Sequence, residues 1–262
     1  MSTVDSNMSG TPDGGVVVLI PAWQPDSQLI ALATSLAMTG VLKIVVIDDG
    51  SDQKHRPIFD ALADMPRVRV LHQAANLGKG RALKDGLRVV FNEFPEAMGV
   101  VTADADGQHK VEDILRIATV LRESGSFVLG SRSLDQEVPL RSRFGNTLTR
   151  HVFRLMSGYN IGDTQCGLRG FPRRLIPELM LIPGERYEYE MSVLAQLCRW
   201  RETPVEVPTS TIYIEKNRSS HFNPILDSLR VALALLRFLL SQWRNPQRVS
   251  PDEHYKNAKK GK

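Results

Sequence analysis

The sequence predicts an α/β fold with a mostly parallel central sheet flanked by helices, and three observations predict it. Short runs rich in Val and Ile recur along the first half of the chain, each closed by turn residues. Between most of them lie segments whose apolar residues return at intervals of three and four. After each run comes a group of acids, glycines or cations rather than further apolar residues. Continuous apolar strands belong to a sheet covered on both faces, and helical connections are what parallel strands require.

Residues 1–14 have no periodicity and are expected to be a disordered leader. Val16–Ile20 is the first strand, closed by a turn over Pro21–Asp26, and a helical pattern runs from Ser27 to Met38. Lys43–Ile47 and Val68–Leu71 are the second and third strands. A helix from Lys79 to Phe91, a strand over Gly99–Ala103, a helix from Glu112 to Arg122 and a strand over Phe127–Gly130 follow. Residues 15–133 thus have the pattern of a nucleotide-binding α/β half-domain. The second half is less regular. Arg141–Met156 is expected to be helical, Leu168–Phe171 a strand and Glu190–Trp200 a helix. Val205–Val207 and Thr211–Ile214 are expected as short strands, before an amphipathic helix within residues 223–244 and a basic, disordered tail over 245–262. The organisation expected is one domain over residues 15–222 with these flanking segments.

Composition narrows the function classes. The 262 residues are 42% hydrophobic and 24% charged, which is globular rather than disordered. Two cysteines are too few for a disulfide scaffold or a cysteine-built zinc site. No run of about 18 apolar residues offers a conventional membrane span. The amino terminus lacks the basic and apolar regions of a secretory signal, so a cytoplasmic location is expected. The net charge of +4 is unevenly spread: residues 132–174 and 225–262 each carry a net +5, which leaves −6 for the remainder. Such a chain is expected to meet anionic partners at particular places, nucleic acid not among them.

In an open parallel sheet, ligands bind beyond the carboxyl ends of the strands. There the sequence places Asp48-Asp49-Gly50-Ser51, Asn76-Leu77-Gly78-Lys79-Gly80-Arg81, Asp104-Ala105-Asp106-Gly107-Gln108, and Ser131-Arg132. Alternate side chains of an extended segment share one side, so Asp104, Asp106 and Gln108 can converge on one hard cation such as Mg²⁺ or Mn²⁺. The competing reading is that Asp104 or Asp106 caps the next helix; the other acids at neighbouring strand ends favour the metal. Asp48 and Asp49 suit the hydroxyl and N–H donors of a nucleoside, or else serve the turn before Gly50. Gly78 and Lys79 lie in a glycine-bearing loop that opens a helix, suited to close backbone approach to a ligand. That loop has neither the dinucleotide fingerprint nor the Walker pattern, which leaves phosphates to metal and arginine. Arg132, directly after a strand, is the first candidate, and Arg143 the next, whereas Arg150 and Arg154 suit a solvated helical face. Asp163–Arg169 has the profile of a binding loop, with Cys166 a packing residue within it and Arg169 at its end. Arg218 and Ser220 supply further donors. His109, beside these acids, could support the metal cluster from behind, but a lone exposed histidine is the preferred reading.

Taken in order, the turn around Pro21-Ala22, V-V-I-D-D-G-S, N-x-G-K-G-x-A, D-A-D-G-Q, G-S-R and D-T-Q-C-G-x-R-G-F resemble glycosyltransferase family 2 over about residues 15–225. The likeness is to its branch of dolichol-phosphate mannose synthases and bacterial polyprenyl-phosphate glycosyltransferases. The resemblance implies the GT-A fold, a nucleotide-sugar donor, a divalent metal and inversion at the anomeric carbon. It implies nucleoside contacts from Pro21, Ala22, Asp48, Asp49 and Asp104, and a metal held on the diphosphate by Asp106 and Gln108. Trp23-Gln24-Pro25 departs from the family's usual Tyr-Asn-Glu, leaving Gln24 and Asp26 as candidates there. Glu188 and Glu190 stand where relatives that glycosylate hydroxyls place a base; acids favoured at a helix start account for them equally.

In Pro224–Arg244, Asp227, Arg230, Ala234, Arg237, Ser241 and Arg244 form one polar helical stripe against a wide apolar sector. A helix lying in the membrane interface fits, as does a core or dimer-interface helix. The expectation from these features is an inverting transferase that moves a sugar to a polyprenyl phosphate at the cytoplasmic face of the membrane, with Asp106, Arg132 and Glu190 as catalytic candidates. An integral-membrane partner and a homo-oligomer stay open. The alternatives are transfer to a hydroxyl acceptor and a non-catalytic nucleotide-sugar-binding subunit.

Overall fold

The computed structural model describes residues 14–132, 154 and 161–210. The expected leader over residues 1–13, Arg143, most of the 141–156 helix, the 211–214 strand, Arg218, Ser220, the 224–243 helix and the tail lie outside the described residues. Seven strands form one sheet: β1 (Val16–Ala22), β2 (Lys43–Asp48), β3 (Val68–His72), β4 (Gly99–Thr102), β5 (Val128–Arg132), β6 (Arg169–Pro172) and β7 (Val205–Thr209). Their order across the sheet is β3-β2-β1-β4-β6-β5-β7. The pairs β3–β2, β2–β1, β1–β4 and β5–β7 are parallel, and only β6 runs against its neighbours, between β4 and β5. The mostly parallel sheet expected from the apolar runs is therefore present, with one reversed strand.

The helices are α1 (Gln28–Ala37), α2 (Arg56–Ala63), α3 (Lys79–Glu93), α4 (Val111–Ser124) and α5 (Glu188–Arg199), with one further turn over Ile176–Leu179. They divide between the two faces as the alternation of β1 requires. Val17 and Leu19 pack with Leu83, Leu87 and Val90 of α3 and with Val193, Leu194 and Leu197 of α5. Val16, Val18 and Ile20 pack with Leu29 and Leu36 of α1, Phe59 and Leu62 of α2, and Ile114 and Ile117 of α4. Successive residues of one strand thus feed two cores.

Two local expectations are corrected. The turn over Pro21–Asp26 begins later, because β1 continues through Pro21 and Ala22, in register with Ile47 and Asp48. Helix α2 is short and opens with Pro57 near its start, so its periodicity rests on only Ile58, Phe59 and Leu62; it has no counterpart among the elements expected from the sequence.

Helix α3 lies unusually close to β1. A Cβ on Gly86 would stand 2.1 Å from Leu19 Cδ1, and Leu19 is fully buried. Gly86→Val is expected to lower stability by about 1–3 kcal/mol through overpacking, read as an earlier urea midpoint with an unchanged slope.

Candidate active site

The parallel strands deliver their carboxyl ends to one edge, and the residues after them interlock. Asp49 N donates to Ala22 O at 2.8 Å, and Gln24 N donates to Ser51 Oγ at 2.8 Å, which joins the segments after β1 and β2. Asp48 accepts from Ser51 N at 2.8 Å and pairs with His72 Nδ1 at 2.8 Å. Asp49 turns the other way. Its carboxylate accepts from Leu77 N at 2.7 Å and Gly78 N at 2.9 Å, pinning the loop that opens α3. Burial holds the Asp49 carboxyl above the usual carboxylate range, against the pull of these amides. The aspartate pair expected at a nucleoside is thus divided: Asp48 stays beside β3, while Asp49 serves the neighbouring loop.

The amino end of α3 is pressed against the start of α5. Gly78 has φ +108°, and a Cβ on it would lie 2.5 Å from Glu185 O. A Cβ on Gly80 would lie 2.5 Å from Tyr189 Cβ. Arg81 N donates to Glu185 O at 2.9 Å, and Lys84 pairs with Glu185 at 2.7 Å. Lys79, set between the two glycines, projects into the site. Its Nζ lies 2.7 Å from Asp104 Oδ1 and 2.9 Å from Glu190 Oε2, and 5.8 Å from the centre of the Tyr187 ring. Burial alone would favour a neutral amine, yet the two carboxylates outweigh it and hold Lys79 firmly charged. Burial likewise works to raise Asp104, but Lys79 and His109 override it and keep its carboxyl well below the usual range.

Asp106 differs. Its carboxylate accepts from Gln108 N at 3.1 Å and forms no ion pair among the described residues. Burial, then the neighbouring charge of Asp104, pushes its pKa upward. Two adjacent hard carboxylates, one of them short of positive charge, are the donor chemistry that suits Mg²⁺ or Mn²⁺. Among the described residues no three His, Cys, Asp or Glu side chains gather at metal-binding spacing. His109 is not exposed as expected. Only 11% of its side chain is accessible, and its Nε2 lies 3.3 Å from Asp104 Oδ2.

The Asp163–Gly167 loop enters β6 at this same edge. Thr102 Oγ1 donates to Gly167 O at 2.8 Å, and a Cβ on Gly167 would meet Asp104 Oδ2 at 2.7 Å. Arg169, expected at the end of a binding loop, lies beneath the loop at 2% exposure. It donates to Cys166 O at 2.9 Å, Thr164 O at 3.3 Å and Glu190 O at 2.6 Å. Arg132 grips the buried Asp163 through two of its nitrogens. Cys166 is buried and its thiol is pushed up to about 11, which suits packing rather than nucleophilic chemistry. The exposed Arg154 stands on a helical residue.

The edge thus gathers Asp104, Asp106, Lys79 and Glu190 under a glycine of the β6 loop. The family model described as Glycosyl transferase family 2 matches residues 17–180, more than half of the chain. The chain belongs to glycosyltransferase family 2. An uncharacterised protein of Methanocaldococcus jannaschii is 32% identical to this glycosyltransferase over 219 residues, covering 80% of this chain and 86% of that one. The UDP-N-acetylglucosamine–dolichyl-phosphate N-acetylglucosaminyltransferase of Methanococcus voltae is 26% identical over 80% of this chain and 91% of its own. Among solved structures, glucosyl-3-phosphoglycerate synthase from Mycobacterium tuberculosis superposes with a TM-score of 0.62 at 18% identity, covering 87% of this chain and 80% of that one. The glycosyltransferase accordingly has the GT-A fold.

Sequence reasoning placed Lys79 and Glu190 in the site separately and did not join them. Nothing local could have joined them, because the contact depends on how α3 meets α5. The histidine five residues after Asp104 was a visible signal of a partner for that acid.

Because the folded state raises the Asp106 pKa, it binds a proton more tightly than the unfolded chain does. Ionised Asp106 therefore costs stability above its folded pKa, and this cost disappears below the ordinary value of 3.8. Asp106→Asn is expected to raise the melting temperature at pH 7 in chelator, with the gain shrinking as the pH falls toward that value in thermal melts.

Proposed function

We propose that this glycosyltransferase moves a sugar from a nucleoside-diphosphate donor to a polyprenyl phosphate, with inversion, at the cytoplasmic face of the membrane. The observation that carries the reading is the Asp104–Asp106 pair at the end of β4, two hard carboxylates of which one has no cationic partner among the described residues. The relatives supply the acceptor class. Besides the dolichyl-phosphate enzyme, an undecaprenyl-phosphate 4-deoxy-4-formamido-L-arabinose transferase of Serratia proteamaculans is 28% identical over 73% of this chain and 59% of its own. Support for the donor and metal comes from the mycobacterial synthase, solved with Mn²⁺ and UDP. Among the described residues no helix is long and apolar enough to cross a membrane. A peripheral location resting on the basic 225–262 segment is part of the proposal.

A phosphate monoester is largely ionised near neutral pH, so its oxygen attacks the anomeric carbon without first losing a proton to the protein. The new C–O bond forms opposite the departing diphosphate, whose C–O bond breaks, and the configuration inverts. Asp104 and Asp106 would hold Mg²⁺ or Mn²⁺, which when bound neutralises charge on the leaving diphosphate. Lys79 adds a fixed positive charge beside it. Asp163 holds the Arg132 guanidinium at the end of β5, where it would meet phosphate. Glu190, held against Lys79, tunes that cation rather than serving as a base.

Incubation with radiolabelled nucleotide-sugars and short polyprenyl phosphates, with and without Mg²⁺ or Mn²⁺, tests this directly. Label is expected to pass to the lipid only when metal is present. Transfer to hydroxyl acceptors alone, or transfer undiminished in chelator, would overturn the acceptor or the metal respectively. Gly167→Ala is expected to displace the Asp104 carboxylate and lower kcat/KM roughly 10- to 100-fold while leaving the fold intact by circular dichroism.

A further inference from the structure

Lys79 carries more than an expected phosphate contact explains. An ammonium group that only met substrate would wait in solvent, whereas Nζ here is held between two carboxylates, with 18% of the side chain exposed. One of those carboxylates, Asp104, belongs to the proposed metal pair; the other, Glu190, arrives from α5 on the opposite side. Two glycines and a hydrogen bond from Arg81 N to Glu185 O lock the start of α3 to the segment that opens α5, at the spot where this bridge is made.

From this geometry we infer that Lys79 is a built-in counter-ion that competes with the divalent metal for Asp104, and that Glu190 is the seat it keeps when the metal takes over. The inference rests on the metal reading above. Two cations cannot both contact Asp104 Oδ1 closely without strong mutual repulsion. Metal arrival must therefore loosen the 2.7 Å contact to Asp104, and the 2.9 Å contact to Glu190 lets this happen without leaving a buried ammonium unpaired. The exchange gives the departing metal–diphosphate a competitor poised to reclaim Asp104. Glu190 is thus a positioning residue whose influence on the metal runs through Lys79.

The competition predicts effects of opposite sign. Lys79→Met removes the rival cation, and Mn²⁺ titrated alone into the full chain, followed by electron paramagnetic resonance, should bind about tenfold tighter than to the unaltered protein. Glu190→Gln leaves Lys79 dependent on Asp104, and Mn²⁺ should bind roughly tenfold more weakly. In the Lys79→Met background the Glu190→Gln change should have little further effect, since no ammonium remains to be seated. Lys79→Arg, which keeps the charge, should not reproduce the gain. Thermal melts of each variant confirm that a folded protein is being titrated. Weaker or unchanged Mn²⁺ binding by Lys79→Met would overturn the inference, as would an equal loss from Glu190→Gln in both backgrounds. If the unaltered protein binds no Mn²⁺ with or without UDP, the metal reading itself fails, and this inference with it.

Discussion

The ion pairs of Lys79 are the contacts on which the arrangement of the edge depends. A single ammonium joins the start of α3, the segment after β4 and the start of α5, three elements far apart in the sequence. Removing one member of such a partly buried set destabilises the edge, because the charge left behind loses its partner and has only limited access to water. The bridge is reachable only because Gly78 and Gly80 let the two helices touch, and Gly78 adopts a positive φ that other residues avoid. Asp49, buried under the same loop, fixes its amides from behind.

The reversed strand supplies the other half of the arrangement. Since β6 runs against β4 and β5, the loop that enters it arrives at the edge where the parallel strands leave. Gly167 is thereby brought over Asp104, and Arg169 ties three carbonyls of this loop and of α5 together from below. The polar groups of a buried loop need partners, and one guanidinium supplies several at once.

Much of this was legible in the residues and some was not. The short strand patterns marked all seven strands to within two residues at either end, because buried strands leave little freedom of composition. The direction of Leu168–Phe171 was not legible, since pairing sense depends on partners rather than on the run itself. Helix α2 escaped notice because eight residues with a proline near the start carry too few apolar repeats. At the site, the two-residue spacing of Asp104 and Asp106 was visible in the sequence, and both follow β4 at the strand-end edge. The protein partners of Asp49 and Arg169 were not visible there: which backbone amides a carboxylate meets, and which carbonyls an arginine meets, is decided by the fold. His109 was misjudged for a related reason, as burial of a lone histidine is decided by the fold around it.

The grip of Arg132 on Asp163 has a consequence for how such a chain can vary. The segment between them leaves the sheet at the end of β5 and returns at the loop before β6, so its two ends are fastened together at one point. The cost of closing a loop grows only with the logarithm of its length. Residues can therefore be added or lost between positions 132 and 163 with little penalty to the sheet. A clasp of this kind lets the length of chain between two fixed points change while the scaffold that holds the carboxylates is left alone.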